Sequence, residues 1–432
     1  MMAEKRENRD LFLVVPLRIL VGGAFVVSGL SKAIDTWGFV YKIEQYFAVW
    51  GVEIERQLSI LLASSLSIVE FLMGGMILFG CYRRVSVWFA SAFMAVMTSF
   101  SLYLVVANPV SDCGCFGELV KVGNWPTLIK NIVLCAALFL LVKHNRKIKG
   151  FYNTYLNWVV LVLLVVYVAV VTVEGVTVQP IVDFRDYKIG TNLFADDSDY
   201  TEVVYSRDGV TKRFTPDNLP DSTWAFVEVV ASEDSRMSLS VFAGDEEGDE
   251  VTEEIASQSD KMMLVSLPEL EHVAVSNVKK LQNLKEKAEQ SGVSFMAITG
   301  SGNELRNKWK ALSLDAYPLY VTDDTLLKAI VRGDVGLVYV EGGRVVWKST
   351  ADNFFAGDIP DDLSADPTNR RLFMALNIAL LLALSLLKII DASGRALKPR
   401  FYGKSQKKLV NLPVENTDMS ESADDTTSDT NL

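Results

Sequence analysis

The chain has 432 residues, 50% of them hydrophobic, with 53 acidic against 42 basic side chains and a formal net charge of −11. That balance argues against nucleic acid as a partner, because binding a phosphate backbone calls for a basic surface. Two histidines and four cysteines leave little from which to assemble the four ligands of a zinc site.

The apolar residues are gathered in blocks. A bilayer span needs about 20 consecutive apolar residues, and six stretches qualify: 11–31, 58–80, 85–107, 126–142, 151–173 and 371–390. The first is long, lacks a clear small-residue cleavage site and is followed by further spans, so it reads as a helix and not as a signal peptide. Gly22, Gly23, Ser28, Gly29 and Ser31 are small residues that let neighbouring helices approach closely. Lys130 can snorkel from the end of the fourth run, while two charges lie well inside these runs, Arg18 and Glu70. At about 1.5 Å per residue they sit about 10 Å and about 15 Å deep, within reach of one another. Charges at such depth face the bundle interior and pair. An Arg18–Glu70 pair would fix helix packing, or would form a polar site for a quinone or a proton path.

Orientation follows from lysine and arginine. The N-terminus, the second and fourth loops and the segment after the last span carry 16 of them, counted as 3, 2, 4 and 7. The first and third loops hold only Lys32, Lys42, Arg56 and Lys121. The positive-inside rule therefore places both termini in the cytoplasm. The third loop and residues 175–369 then face outward. That outer segment has 35 carboxylates against 18 basic side chains, a balance of −17. Residues 411–432 have no basic and few apolar side chains and read as a disordered tail.

The third loop contains Asp112-Cys113-Gly114-Cys115-Phe116-Gly117. On the outer side a disulfide is permitted. Two cysteines one residue apart close only a small strained ring, and Gly114 gives the backbone freedom for the turn. Strained, exposed disulfides are the labile ones, and so short a loop gains little chain-entropy stabilisation. A redox pair, a structural turn and a metal site all remain open, the metal least supported, because His144 and Cys81 fall at the cytoplasmic side. Cys135 lies about 12 Å down the fourth span, where a lone cysteine is a small core residue.

The runs "RILVGGAFVVSGLSKAID" and "VEFLMGGMILFG", with "DCGCFGELVKVGNWPTLIKNIVL", resemble the DoxX-like/MauE family of small four-helix membrane proteins, over residues 11–143. The block from Cys113 to Gly117, followed by Asn124-Trp125-Pro126-Thr127 and Lys130-Asn131, is its most specific part. The resemblance implies a bacterial cytoplasmic (inner) membrane protein taking part in disulfide formation or redox maturation of an extracytoplasmic client. Cys113 and Cys115 would be the exchanging pair, with Lys130 and Asn131 at the top of the next helix. A quinone is the cofactor such an activity admits, and the bilayer and a client protein are the partners.

Beyond residues 1–10 (the cytoplasmic N-terminus), the membrane domain 11–143 and a fifth span within 144–174, the chain changes rhythm. Residues 175–257 read as β-rich, with a hairpin turn at Asp208-Gly209 and an acidic loop at 244–254. In 258–355 strands alternate with amphipathic helices and end in a hairpin at Gly342-Gly343. That order resembles the thioredoxin-like fold, with two departures. After the strand "KMMLVSL", where that family keeps Cys-x-x-Cys, the chain reads "PELEHVAVSN". Before "GLVYV" it reads Arg332-Gly333-Asp334-Val335, without the family's proline. This domain has no cysteines of its own, and His272 reads as a solvated loop histidine. A linker (356–370), the sixth span and the tail 391–432 complete the chain.

The expected fold class is thus an all-α transmembrane bundle, a four-helix DoxX/MauE-like core plus two further spans, carrying an extracytoplasmic α/β thioredoxin-like domain. Two functions compete: a thiol–disulfide redox protein acting through Cys113 and Cys115, and a non-enzymatic scaffold that binds a client through its acidic outer domain.

Overall fold

The structure, a computed structural model, describes residues 2–410 apart from 111–112, 116, 118, 121, 146–149, 179–181, 184, 186, 195–200, 208–209, 215–218, 221–222, 232–238, 244–247, 259 and 369. Side chains of 2–12, 201–202, 210–211, 213, 228–231, 258, 370 and 394–410 are likewise not described. Asp112, Phe116, Lys121, the Asp208-Gly209 turn, residues 244–247 of the acidic loop and the tail 411–432 therefore lie outside the described residues, and residues 252–254, expected in that loop, instead begin a helix.

Among the described residues, six helices are long and apolar enough to cross a membrane: Leu13–Ile34, Arg56–Phe79, Arg83–Ala107, Asn124–Lys143, Thr154–Thr177 and Arg371–Ser393. They belong to α1 (Met2–Ile34), α3 (Arg56–Phe79), α4 (Arg83–Ala107), α5 (Asn124–Lys143), α6 (Asn157–Thr177) and α12 (Arg370–Val410). The protein is a multi-pass membrane protein. Between α1 and α3 lies a further helix, α2 (Thr36–Val49), where the sequence reading has only a loop. Asp35 caps it, accepting a hydrogen bond from Gly38 N at 3.2 Å. Its apolar Trp37, Phe39, Val40 and Ile43 are buried against Ala63 of α3.

Helices α1 and α3 form the closest pair in the bundle. A Cβ on Gly29 would stand 2.4 Å from Phe71 N, and one on Gly74 2.5 Å from Val26 N. Glycine at these two positions lets the backbones touch, as small residues do between membrane helices. The core behind them comprises Phe25, Ile77, Val87, Met94 and Leu138 with their neighbours.

The polar region contains two sheets. The first is antiparallel, in the order β2-β1-β3, from β1 (Thr201–Arg207), β2 (Val210–Phe214) and β3 (Ala225–Ala231). The second has the order β6-β5-β4-β7-β8, from β4 (Lys261–Leu267), β5 (Ser294–Thr299), β6 (Leu319–Val321), β7 (Gly336–Glu341) and β8 (Arg344–Thr350). β4 to β6 run parallel, and β7 and β8 add antiparallel. β4 is central and buried at six of its seven positions, as a strand covered on both faces must be. Met263, Val265 and Leu267 pack with α8 (Ser276–Gln290), α9 (Asn303–Leu312) and the Tyr339 and Trp347 rings. Met262 and Leu264 face the other way, against α7 (Thr252–Gln258), α10 (Asp324–Ile330) and the strap through Tyr187 and Leu193. Gly342 and Gly343, at φ +56° and +75°, make the β7–β8 turn, a geometry that only residues tolerant of positive φ adopt cheaply. A short helix, α11 (Ala351–Phe354), follows β8.

Candidate functional site

The cysteine loop joins α4 to α5 at the end of the bundle where α1 ends and α2 begins. Hydrogen bonds hold it. Tyr46 of α2 donates its hydroxyl to Cys113 O at 2.7 Å. Ser28 Oγ lies 2.6 Å from Cys115 O. Gly117 N donates to Gly114 O at 3.0 Å, and Cys113 N to Val122 O at 3.4 Å. Gly114 has φ +62°, and a Cβ there would lie 2.8 Å from Lys42 Cγ, so both conformation and space demand glycine. Both cysteines are thiols, and these bonds fix the turn without an S–S bridge.

The two sulfurs differ. Cys113 is buried, with Sγ 3.2 Å from Thr127 Oγ1 in the first turn of α5 and 3.3 Å from the donating Cys115 N–H. The hydrogen bond from the Cys115 thiol, opposed by burial and reinforced by Thr127 and Cys115 N–H, lowers the Cys113 thiol to about 6. A helix N-terminus favours a thiolate in the same sense. Cys115 is pushed well above the ordinary thiol value, by the same sulfur–sulfur bond and by burial. The arrangement thus favours the thiolate on Cys113 and the thiol on Cys115.

Beneath Cys115 is a cavity of about 50 Å³ between α1, α3, α4 and α5. Phe25, Phe93, Met94, Met97 and Leu134 give it apolar walls, and Ser28, Lys32, Glu70, Lys130, Asn131 and Cys115 give it a polar end. Glu70 and Lys32 are buried, and Lys32 Nζ donates to both carboxylate oxygens at 2.7 and 2.8 Å. Ser28 Oγ lies 2.6 Å from Glu70 Oε2. Asn131 Nδ2 donates to Ser101 Oγ of α4 at 2.7 Å.

The expected Arg18–Glu70 pair is corrected here. Arg18 lies about two turns along α3 from Glu70 and donates to the carbonyls of Ile77 and Leu78 at 3.0 and 2.6 Å. It caps the C-terminal end of α3, where unpaired carbonyls and the helix dipole favour a cation. The partner of Glu70 is Lys32, which the sequence reading leaves in a loop; α1 continues through Ile34 and puts it in the last turn. Its spacing of four from Ser28 on one helix face was the available signal. The other two cysteines stand apart from the pair. Cys135 contacts Thr98 Oγ1 at 3.2 Å, and Cys81 follows α3 at the Arg18 end.

The α/β domain rests on the same end of the bundle. Arg332 meets Asp35 at 3.2 Å. Gly333 N donates to the Tyr41 hydroxyl at 3.2 Å. Arg56 pairs with Glu44 at 2.8 Å, with Asp334 at 3.5 Å and with Glu269. Lys328 reaches Glu269 at 2.5 Å, and His272 flanks it at 3.4 Å. Trp37 Nε1 donates to Val176 O at 2.9 Å, and Thr350 Oγ1 donates to Thr177 O. The Tyr41 ring has the cationic groups of Lys328, Arg332 and Arg56 within 5.4–5.6 Å of its centre. Burial works to raise Asp35, but the Arg332 and Arg185 charges outweigh it and hold the carboxyl below its usual range. Glu269 lies just after β4, and residues 332–334 just before β7. The two segments singled out in the sequence are thus the ones that touch α2 and Arg56.

Residues 10–144 match the family described as Methylamine utilisation protein MauE, so the membrane part that holds the cysteine loop is MauE-like, as its motifs indicate. Residues 200–232, the three-stranded sheet, match a Domain of unknown function (DUF8463). No curated protein and no solved structure matches the chain.

Proposed function

We propose that this MauE-like membrane protein exchanges thiols and disulfides with an extracytoplasmic client protein through Cys113 and Cys115. The observation that carries the reading is the unequal pair itself: a thiol lowered to about 6 beside one raised well above the usual value, in a loop already held by hydrogen bonds. A disulfide placed only to hold the turn would have nothing to add. Thiolate at neutral pH is what an attacking cysteine needs.

Cys113 takes the attacking role. Its thiolate attacks a client disulfide, forming a mixed disulfide and releasing one client thiolate. Cys115 then attacks Cys113 Sγ, closes the Cys113–Cys115 bond and releases the second client sulfur. Two electrons pass from the pair to the client, and the same steps run in reverse oxidise a client dithiol. The donor set around the cavity suits a quinone carbonyl, but about 50 Å³ is room for roughly three or four water molecules and not for the ring. No step is therefore routed through a quinone.

The basic residues at the opposite loops support an outward-facing cysteine loop in the bacterial inner membrane. The α/β domain docks at that same end, which suits a role in presenting the client. Its strand order β6-β5-β4-β7-β8, with three parallel strands followed by an antiparallel hairpin, supports the thioredoxin-like reading.

The test is thiol trapping in intact membranes. Cys113→Ser and Cys115→Ser should each abolish turnover of client thiols, while Cys81→Ser and Cys135→Ser leave it intact. Unchanged client thiol state in both loop variants would sink the reading.

A further inference from the structure

The exchange proposed above leaves its second step short of a nucleophile. Cys115 must lose its proton before it attacks Cys113 Sγ, and once Cys113 is bound in the mixed disulfide it is burial that still opposes that loss. The groups facing it are Lys32 from α1, Glu70 from α3, Lys130 from α5, Lys42 of α2 behind Gly114, and Cys113 itself. Lys130 and Lys32 both favour its thiolate, Lys130 the more strongly, and Lys32 is clamped by a carboxylate. It is 3% exposed, with its ammonium on both oxygens of Glu70. Its stem lies under the loop, 3.8 Å from where a Gly117 Cβ would stand. An ammonium so deep in a membrane protein is costly, and as packing alone an apolar pair would serve as well.

We propose that Lys32, locked in place by Glu70, stabilises the Cys115 thiolate and so makes Cys115 the resolving sulfur. Glu70 and Ser28 are positioning residues. The carboxylate holds the ammonium at the polar end of the cavity, and Ser28 joins Glu70 Oε2 to the Cys115 carbonyl at 2.6 Å each. This rests on the thiol-exchange reading and names how its second half proceeds. The Cys115 proton ends on the client sulfur expelled from the mixed disulfide. The bond broken is Cys113–S–S–client, and the bond formed is Cys113–Cys115. The pair loses two electrons and the client disulfide gains them, so atoms, charge and electrons balance without a further oxidant.

The experiment uses the full chain, reduced and reconstituted in lipid nanodiscs, mixed with oxidised glutathione as the probe disulfide. Mass spectrometry follows the mixed disulfide on Cys113 from pH 6 to pH 9. In the unaltered chain it should be short-lived; Cys115→Ser should trap it and Cys113→Ser should never form it. Lys32→Met should lengthen its lifetime about tenfold at pH 7 and move the pH midpoint of resolution up by about one unit, with Lys32→Arg restoring most of both. Lys32→Met leaves Glu70 buried without its ammonium and is exposed to misfolding. The double variant Lys32→Met/Glu70→Leu removes that penalty and should still resolve slowly. A double variant that resolves at the unaltered rate and midpoint overturns the role of Lys32 and leaves the exchange reading standing. Absence of any mixed disulfide in the Cys115→Ser chain overturns the exchange reading itself.

Discussion

Arg18 and Lys32 lie on one helix, fourteen residues apart, and both reach across to α3. Arg18 is half-buried and spends its guanidinium on the main-chain carbonyls of Ile77 and Leu78, where α3 ends. Lys32 is fully buried and spends its ammonium on a carboxylate that lines a cavity shared with a thiol. The first arrangement finishes a helix. The second keeps a charge pair where the fold alone would be cheaper without it. A buried charge in a membrane bundle thus points to chemistry when it meets a cavity and a reactive group together, and its depth alone does not separate the two cases.

Breaking one half of each arrangement separates them most strongly. Glu70→Leu alone strands the Lys32 ammonium and should cost about 3–5 kcal/mol of stability, whereas Glu70→Leu with Lys32→Met should recover most of it. Arg18→Met should cost less, about 1–2 kcal/mol, the scale of a lost helix-end interaction, and should leave the reactivity of the cysteine pair unchanged. Thermal unfolding in detergent, read beside labelling of Cys113, distinguishes them. Equal losses for Glu70→Leu and the double variant would remove the contrast.

The glycine contacts sharpen it from the packing side. Gly29 and Gly74 let α1 and α3 touch, so both charged groups depend on them for reach. Gly29→Ala places a methyl 2.4 Å from Phe71 N. Overpacking of this kind costs about 1–3 kcal/mol. Gly29 is one turn from Lys32, so this variant should also slow cysteine exchange, while Gly23→Ala, which meets nothing within 4 Å, should change neither stability nor exchange.

Much of this was legible in the residues. Six apolar runs, the small residues of α1 and the cysteine turn follow from composition and spacing. Three features were less so, for physical reasons. Helix α2 is short and carries polar residues on the side that meets the α/β domain, so it falls below the apolar signal of a span; Asp35 as a cap ahead of Trp37, Val40, Tyr41 and Phe47 at helical spacing was its trace. Lys32 looks like a loop residue because an apolar run appears to stop at a charge, although the helix continues past it. The pairing of Glu70 could not be chosen from depth alone, since Arg18 and Lys32 both lie within a helix length, and only the register of α1 on α3 decides between them. The docking of Glu269 and residues 332–334 on Arg56 and α2 depends on contacts between residues more than two hundred positions apart, which no local pattern carries.

The α/β domain supplies another buried cation, and a gentler test of the same idea. Lys348 on β8 donates to the carbonyls of Tyr187 and Ile330 and meets Asp183 at 2.6 Å. It lines no reactive group. Burial, with the nearby Arg185 charge, outweighs Asp183 and brings its ammonium down to about 7, against about 10.4 in an unfolded chain. Between those values the unfolded chain binds the extra proton, so stability must rise with pH. The buried charge is a burden below pH 7, and it is relieved as the amine turns neutral. The α/β domain should therefore gain on the order of 1–2 kcal/mol between pH 7 and pH 9, measured by denaturant unfolding of the full chain. Lys348→Met should flatten that rise while leaving cysteine exchange untouched. If Lys348→Met slowed exchange as Lys32→Met does, burial of a cation anywhere in the chain would be enough to disturb the pair, and the special place of Lys32 beside Cys115 would be lost.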